Sequence, residues 1–341
     1  SSERSNSVMS TPSGSVRSCS AMSTSAQPTY STVSKPWLKR RAACRRSIIA
    51  SGSDIKLNEV DATNLAGITA TGSFTLTSAG PVDDSGLINV TNAATFTATG
   101  QPITLDVVGS KFLSTLSLNG SNVSVANSNP IDLGTSNITG TLSLVARGIT
   151  QSSGSLNVTG TTSLNAGTND IVVNQTGNKF GTLILRGANA KLTENDATDL
   201  GTTKLTGDLT LTSAGNVTDS ANQSIGGNLS VTATGFDIVL DNANVIGKSV
   251  SFIGKNVTIN DTTPLDLGTS TATAVTTITS RGAVTDSGAL NFGTTTTVSA
   301  PGFDITLDNG GTGLGVLSLT GRHATIKNAA VALTLGTSTL T

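Results

Sequence analysis

The sequence predicts an all-β protein, a parallel β-helix of about 13 coils that follows an N-terminal segment of different composition. Three observations predict this fold. Only 3% of the 341 residues are aromatic and 12% are charged, whereas Gly, Ser, Thr and Asn are abundant. A pattern recurs every 67–68 residues, and glycines end short apolar–polar alternations every 19–28 residues. Stacked coils bury such strands in one continuous core and pair their N–H and C=O groups.

Composition excludes other classes of protein. The 37 glycines lack the one-in-three period of collagen. No run approaches the length of about 18 apolar residues that a transmembrane helix needs. The regular Val, Ile and Leu argue against disorder of the whole chain.

The first segment, residues 1–47, is predicted to be a disordered, basic, Ser-rich head. Residues 1–50 carry a net charge of +7, whereas residues 51–341 carry −8. A nucleic-acid or membrane-surface arm and a transit-like peptide are the alternatives. Both cysteines, Cys19 and Cys44, lie in this head, so no disulfide framework is expected in the repeats.

The second segment, residues 48–341, contains the repeats and is expected to be truncated at its C-terminus, because it ends inside a coil. Corresponding tetrapeptides such as ITLD from Ile103 and IVLD from Ile238 keep the long spacing. One leucine position recurs with steps of 68, 67, 67 and 68 residues, at Leu65, Leu133, Leu200, Leu267 and Leu335.

Glycines divide each long repeat by steps of about 20, 20 and 28 residues, which predicts three coils per repeat. Each glycine suits a corner that needs positive φ or a close backbone approach. The residue four positions earlier is large and apolar in twelve of thirteen cases, and Leu164 beside the exception Ser163 indicates a one-residue slip. Connections between parallel strands are expected to be right-handed. The glycines are Gly52, Gly80, Gly100, Gly120, Gly148, Gly167, Gly187, Gly215, Gly235, Gly254, Gly282, Gly302 and Gly321.

The position two residues before the glycine predicts layers in the core, since large and small side chains recur there in fixed places. It is large at Leu118, Leu185, Phe252 and Leu319, and small at Ser78, Ala146, Ser213 and Ser280.

Four motifs characterise the repeats: VTDSG (Val284–Gly288), GTTSLNAG (Gly160–Gly167), NDIVVN (Asn169–Asn174) and LDLGTS (Leu265–Ser270). With these motifs, residues 48–341 resemble the repeats of filamentous-haemagglutinin-like large exoproteins. The resemblance implies a right-handed β-helix with a structural or adhesive role on the surface of a Gram-negative bacterium. It also implies export by two-partner secretion through an outer-membrane transporter, and host or neighbouring-cell glycans or surface proteins as partners.

The leading functional prediction is therefore a non-enzymatic segment of a secreted adhesin, with no catalytic, cofactor or metal site and no nucleic-acid partner for the repeats. A carbohydrate-active β-helix enzyme, lyase or hydrolase, is the first alternative. Equivalent acids are expected three coils, or ~14 Å, apart, too far to share one Ca²⁺. We expect them to bond their own backbone, although acids of different registers remain free to meet on adjacent coils. They are Asp84, Asp219 and Asp286 in one register and Asp106, Asp241 and Asp308 in another.

Other polar residues are predicted to face solvent. His323, the single histidine, occupies the place of Asn122, Asn189 and Asn256 in equivalent coils. Arginines beside corner glycines are expected to be solubilising charges, with contact to anionic glycans as the alternative. A Thr-rich face that binds ice or mineral is the remaining functional alternative. The arginines are Arg147, Arg186, Arg281 and Arg322, and the Thr pairs are Thr75/Thr77, Thr95/Thr97 and Thr232/Thr234.

Overall fold

The computed structural model describes residues 46–309, 313–328 and 333–341, and they form an all-β parallel solenoid of about 15 turns. The predicted head, residues 1–47, lies almost entirely outside the described residues. The chain alternates between two sheets, so each turn contributes one side to sheet A and the other to sheet B. All the strand pairs are parallel and join residues of adjacent turns that are 17–22 residues apart.

Sheet A consists of twenty strands: β1 (Arg46–Gly52), β3 (Thr63–Ala70), β5 (Val82–Asp84), β6 (Ile88–Val90), β8 (Ile103–Leu105), β9 (Lys111–Phe112), β11 (Val123–Ala126), β14 (Leu142–Val145), β17 (Thr162–Asn165), β19 (Thr182–Gly187), β21 (Thr198–Leu205), β23 (Val217–Asp219), β24 (Gln223–Ile225), β26 (Ile238–Ile246), β28 (Val257–Asp261), β31 (Val275–Ser280), β34 (Thr295–Ser299), β36 (Val316–Gly321), β38 (Thr334–Leu335) and β39 (Thr339–Leu340).

The other nineteen strands belong to sheet B: β2 (Ile55–Glu59), β4 (Phe74–Ser78), β7 (Ala94–Thr97), β10 (Thr115–Gly120), β12 (Ile131–Leu133), β13 (Ser136–Ile138), β15 (Ile149–Thr150), β16 (Leu156–Val158), β18 (Ile171–Val173), β20 (Ala190–Glu194), β22 (Leu209–Ser213), β25 (Leu229–Thr232), β27 (Ser249–Gly254), β29 (Leu265–Leu267), β30 (Ser270–Ala272), β32 (Val284–Asp286), β33 (Leu290–Phe292), β35 (Ile305–Leu307) and β37 (Ala324–Ile326).

The long repeat spans three and a half turns, so the prediction of three coils per repeat is wrong. Leu65 lies in sheet A, Leu133 in sheet B and Leu200 again in sheet A. A glycine step of 20 residues is one turn, because Gly100 follows β7 and Gly120 ends β10, both of which are strands of sheet B. The 28-residue step to Gly148 adds half a turn and ends on sheet A. This half turn explains why the solenoid has about 15 turns rather than 13.

A single core runs between the two sheets, as alternation with period two requires. Leu76 pairs with Phe96, and Phe96 with Leu118, so large side chains stack from turn to turn. Phe74, Phe96 and Phe112 continue this stack, with ring centroids 5.3 and 5.8 Å apart. The large and small positions two residues before the glycines are both buried, so both face the core.

The predicted slip at Ser163 is confirmed. Leu164 is buried and pairs with Leu144 of the previous turn, whereas Ser163 is only partly covered. The strand therefore reaches its glycine, Gly167, one residue earlier than the other strands do, three positions after the core leucine instead of four. A change of register by one residue would otherwise have turned the core side chain of this strand to solvent.

The corner glycines serve both predicted purposes, at different places. Gly235 has φ +82° at the end of β25, in the left-handed region that residues with a Cβ avoid. Gly215 lacks such a φ, but a Cβ there would lie 2.6 Å from the backbone nitrogen of Ala197. Its glycine is therefore required by the close approach of the preceding turn.

Candidate functional site

Polar side chains just before the strands of sheet B form a hydrogen-bonded ladder along the solenoid. Asp170 Oδ1 accepts the backbone N–H of Asn189 at 3.1 Å, and Asn189 Oδ1 accepts that of Asp208 at 2.8 Å. Asp208 Oδ1 then accepts the N–H of Asn228 at 2.7 Å, and Asn228 Oδ1 accepts the Ser249 hydroxyl at 3.0 Å. Each step joins one turn to the next, so the side chains are held in line.

This ladder borders a concave surface that we call the polar groove. One part, of about 260 Å³, has Asp170, Asn189 and Asp208 on its wall together with Lys191 and Thr210. The second part, of about 310 Å³, is lined by Asn228, Lys248, Ser249, Asp266 and Thr285 among others. Asp208, in the first part, bonds Asn228, in the second, so both parts follow the same ladder. The groove thus presents amide, hydroxyl, carboxylate and ammonium groups over consecutive turns.

The acids of the first register bond backbone groups of the following turn, in addition to any bond with their own backbone. Asp84 Oδ1 accepts the N–H of Asp106 at 3.1 Å, and its Oδ2 accepts that of Val107 at 3.2 Å. Asp219 accepts the N–H of Asp241 at 3.0 Å, and Asp286 that of Asp308 at 2.9 Å, in the same way. The two registers do meet on adjacent turns, and the acid of the first register caps the backbone beside the second.

Burial affects two of these acids, Asp84 and Asp286. It raises the pKa of Asp84 and of Asp286, against the hydrogen bonds from the next turn that favour ionisation. Within one register, consecutive equivalents lie three and a half turns apart. Asp219 is in sheet A and Asp286 in sheet B, so the expected separation of three coils is wrong and the two acids face opposite sides.

A third acid register was missed by the sequence analysis, although its members recur with the long spacing. Asp132 accepts hydrogen bonds from Thr115 of the turn before and from Ser152 and Thr150 of the turn after. Burial alone would raise the pKa of Asp132, but the bonds from Ser152, Thr115 and Thr150 lower it overall. The equivalent Asp199 likewise accepts hydroxyl groups on both sides. These carboxylates fasten three turns together.

His323 and the four arginines are exposed, as predicted. Asn122 and Asn189, in the place equivalent to His323, accept the backbone N–H of the following turn, from Thr141 at 2.9 Å and Asp208 at 2.8 Å. Arg322 donates to both carboxylate oxygens of Asp304, at 2.9 and 2.8 Å. This pairing lowers the pKa of Asp304. Each of the four arginines lies in or just after a strand of sheet A.

Hydroxyl side chains form columns on the outer faces of both sheets. Thr75 pairs with Thr95, and Thr77 with Thr97, so two of the predicted Thr pairs are adjacent in sheet B. Thr234 lies beyond the end of β25, so the pair Thr232/Thr234 is not a strand pair. Longer columns lie in sheet A: Thr258, Thr277, Thr297 and Ser318 in one, and Asn260, Thr279, Ser299, Thr320 and Thr339 in the next.

Within residues 46–309, 313–328 and 333–341, no group of three or more His, Cys, Asp and Glu side chains is placed to hold a metal ion. The same part of the chain contains no helix that could span a bilayer.

Four consecutive stretches of the chain match the model of one family, described as repeats of unknown function (DUF5649). They are residues 52–119, 120–185, 187–253 and 254–320. These boundaries follow the long repeat, so each matched unit corresponds to three and a half turns of the solenoid. No curated protein and no solved structure matches the chain.

Proposed function

We propose that the chain, which belongs to the family of repeats of unknown function (DUF5649), is a non-enzymatic structural and adhesive segment of a secreted bacterial surface protein. A repeat solenoid suits the structural part, because each turn contacts only its neighbours and the rod extends as turns are added. About 15 turns at a strand spacing of ~4.8 Å make a rod roughly 70 Å long.

The adhesive role rests on the polar groove. Its donors and acceptors recur with the turn spacing and are held by the ladder from Asp170 to Ser249. An array of this kind suits an extended partner with regularly spaced hydroxyl groups, such as a glycan chain on a host or neighbouring cell. Lys191 and Lys248 add positive charge beside Asp208 and Asp266, which keeps the groove mixed in charge.

The resemblance to filamentous-haemagglutinin-like exoproteins supports the location. We place the protein outside the outer membrane of a Gram-negative bacterium, after export through an outer-membrane transporter. Antibody labelling of intact cells that produce the whole protein tests this location. Labelling only after the cells are broken contradicts it.

A non-enzymatic role is supported by how the acids are used. The carboxylates of Asp84, Asp219 and Asp286 accept backbone N–H groups, and this arrangement recurs in three of the four repeats. Catalysis needs a distinctive constellation, with a nucleophile or acid–base pair aimed at one reacting position. Release of products from a panel of polysaccharides by the chain would contradict this part of the proposal.

A glycan array and whole-cell binding assay with the full chain test the adhesive role. The double variant Lys191→Ala/Lys248→Ala removes the positive charge of the groove, and we expect its binding to fall at least tenfold. Lys111→Ala/Lys204→Ala is the matched control, because these exposed lysines lie on sheet A. Equal loss in both variants contradicts the groove as the binding surface, and absence of any binding contradicts adhesion.

The hydroxyl columns of sheet A support a second candidate, binding to ice or mineral. Neighbouring hydroxyls there are spaced ~4.8 Å along the axis and ~6.7 Å along each strand, which makes a regular two-dimensional array. Inhibition of ice recrystallisation or of crystal growth by the chain measures this activity. It should be lost in Thr277→Val/Thr297→Val and kept in Thr202→Val, an exposed position outside the columns. No inhibition by the unmodified chain rejects this candidate.

A further inference from the structure

One buried polar position recurs in the core, one long repeat apart, at Asn127, Glu194 and Asp261. These side chains are 5%, 1% and 0% exposed. Each accepts a backbone N–H from the preceding turn, which for Asn127 is that of Phe112 at 2.8 Å and for Glu194 that of Phe180 at 2.6 Å. The position therefore joins adjacent turns from inside the solenoid.

Asn127 and Asp261 satisfy their remaining polar atoms in different ways. The amide nitrogen of Asn127 donates to the carbonyls of Asn129 at 3.0 Å and Pro130 at 3.1 Å. Asp261 Oδ1 instead accepts from the Thr263 N–H at 2.9 Å and hydroxyl at 2.7 Å. The residue two positions later thus supplies an acceptor for Asn127 and a donor for Asp261.

Glu194 fits neither solution. Its Oε1 accepts the Phe180 N–H, but its Oε2 is buried without a hydrogen-bond partner, and the same is true of Asp196 Oδ1. Asp196 stands where Asn129 and Thr263 stand in the other repeats, and an ionised Asp cannot donate. Two buried, unpartnered acceptors on neighbouring residues are costly. A single proton between them would give each a partner.

We infer that Glu194 and Asp196 share one proton, held on Glu194 Oε2 and donated to Asp196 Oδ1, and that this proton locks the corner between β20 and β21. In this state Glu194 resembles the amide of Asn127, with one acceptor and one donor. When the proton leaves for solvent, two negative charges remain side by side and the corner loosens. The shared proton thus makes the stability of this corner of the solenoid depend on pH.

The surrounding groups are consistent with this assignment. Burial raises the pKa of Glu194 to about 8, against the Phe180 N–H and the Thr198 hydroxyl, which lower it, and Asp196 adds to the rise. Lys179, from the preceding turn, lies 3.4 Å from Asp196 Oδ2, so a positive charge stands beside this carboxylate. The following turn contributes Ser213, whose hydroxyl lies 3.0 Å from that of Thr198. The proton is therefore held mainly by Glu194.

The direction of the pH effect follows from proton binding. The folded chain retains the Glu194 proton up to a pKa of about 8, whereas the unfolded chain releases it near the ordinary value of 4.5. The stabilisation is fully present below that ordinary value and is lost as pH rises toward 8. The equilibrium constant for opening the corner therefore increases by at most about tenfold per pH unit over this interval.

Hydrogen exchange of the peptide that spans β19 to β21 measures this opening, from about pH 5 to about pH 9, after correction for intrinsic exchange. The full chain should lose protection as pH rises, and Glu194→Gln, which has a permanent donor, should remove that dependence. Asn127→Glu should introduce it into the peptide that spans β9 to β12. Asp106→Asn, a change at an exposed acid, is the control and should alter neither peptide.

A direct titration uses the unmodified chain, so it tests the inference even where a variant does not fold. The carboxyl carbon of Glu194 in the unmodified chain should titrate near pH 8 in a carbon-13 NMR experiment. A midpoint in the ordinary range for glutamate overturns the inference. The same pH dependence in Glu194→Gln as in the unmodified chain also overturns it.

Discussion

Leu65 and Leu133 hold the same place in consecutive repeats, yet they enter the core from opposite sheets. Both are completely buried, Leu65 in β3 of sheet A and Leu133 in β12 of sheet B. Three and a half turns separate them, so each repeat presents to one side what the previous repeat presents to the other. A feature that recurs once per repeat therefore alternates between the two faces of the rod.

Deletion of one matched unit, residues 187–253, should leave a shorter solenoid. The new junction joins Arg186 to Gly254, which replaces Gly187 at the end of β19, and the following strands move to the other sheet. The rod should shorten by ~17 Å, for three and a half turns at ~4.8 Å each. Small-angle scattering measures the length, and circular dichroism the strand content. Deletion of residues 187–248, which joins strands out of phase, should lose strand content; loss in both deletions contradicts the half-turn repeat.

Leu200→Ala should destabilise the solenoid by about 2–5 kcal/mol, because it leaves a cavity in a closely packed core. Leu200 is 0% exposed in β21. Thr202→Ala, on the exposed side of the same strand, should change stability by less than about 0.5 kcal/mol. Urea unfolding of the three proteins compares these effects. Equal effects of the two substitutions would mean that β21 does not face the core as described.

Gly235→Ala should destabilise the fold by about 1–2 kcal/mol through its backbone alone. Gly235 has φ +82°, and a Cβ there would meet nothing within 4 Å. Gly235→Asn should have a smaller effect, because asparagine enters the left-handed region more readily than alanine. Thermal unfolding gives the order. Alanine at least as stable as asparagine would argue against a left-handed corner.

Asp132→Ala should lower the free energy of unfolding by about 1 kcal/mol at neutral pH, because it removes hydrogen bonds that hold three turns together. The effect is no larger because solvent screens part of it. The substitution removes the acceptor for the Ser152 N–H at 2.7 Å and the Thr115 hydroxyl at 3.1 Å. The folded pKa of Asp132 is lowered, so its stabilisation is present above the ordinary value of 3.8 and is lost as pH falls through the folded value. Unfolding curves of the two proteins should therefore converge in acid; a constant difference contradicts the role of the charge.

Much of the fold could be predicted because the same pattern of apolar residues and glycines recurs along the chain. Alternation with period two identified the inward side chains, and Leu164 located a slip of one residue before its burial was known. Glycine spacing located the corners. The same spacing failed at the 28-residue step, because an extra half turn ends on a strand with the same apolar alternation. The period of the sequence shows which residues face inward, but it does not show to which sheet a strand belongs.

The polar contacts were harder to predict. The acid registers of Asp84 and Asp106 were found by their spacing, but their partners lie one turn away and depend on the pairing register. Asp132 was overlooked although it recurs, because its role needs hydroxyls from two other turns. Asn127 and Glu194 are chemically different side chains. Only their equivalent positions in the solenoid show that both accept a backbone N–H from the preceding turn.

By itself the amino-acid sequence determined that this protein winds into a parallel solenoid, which positions enter its core and where glycine permits a corner. Those properties follow from local chemistry, the alternation of side chains along a strand and the absence of a Cβ. Tertiary structure alone decided which face each repeat occupies, which polar groups meet between turns and where a buried acid lacks a partner. These features depend on how many residues each turn contains, and the packing of one turn on another sets that number.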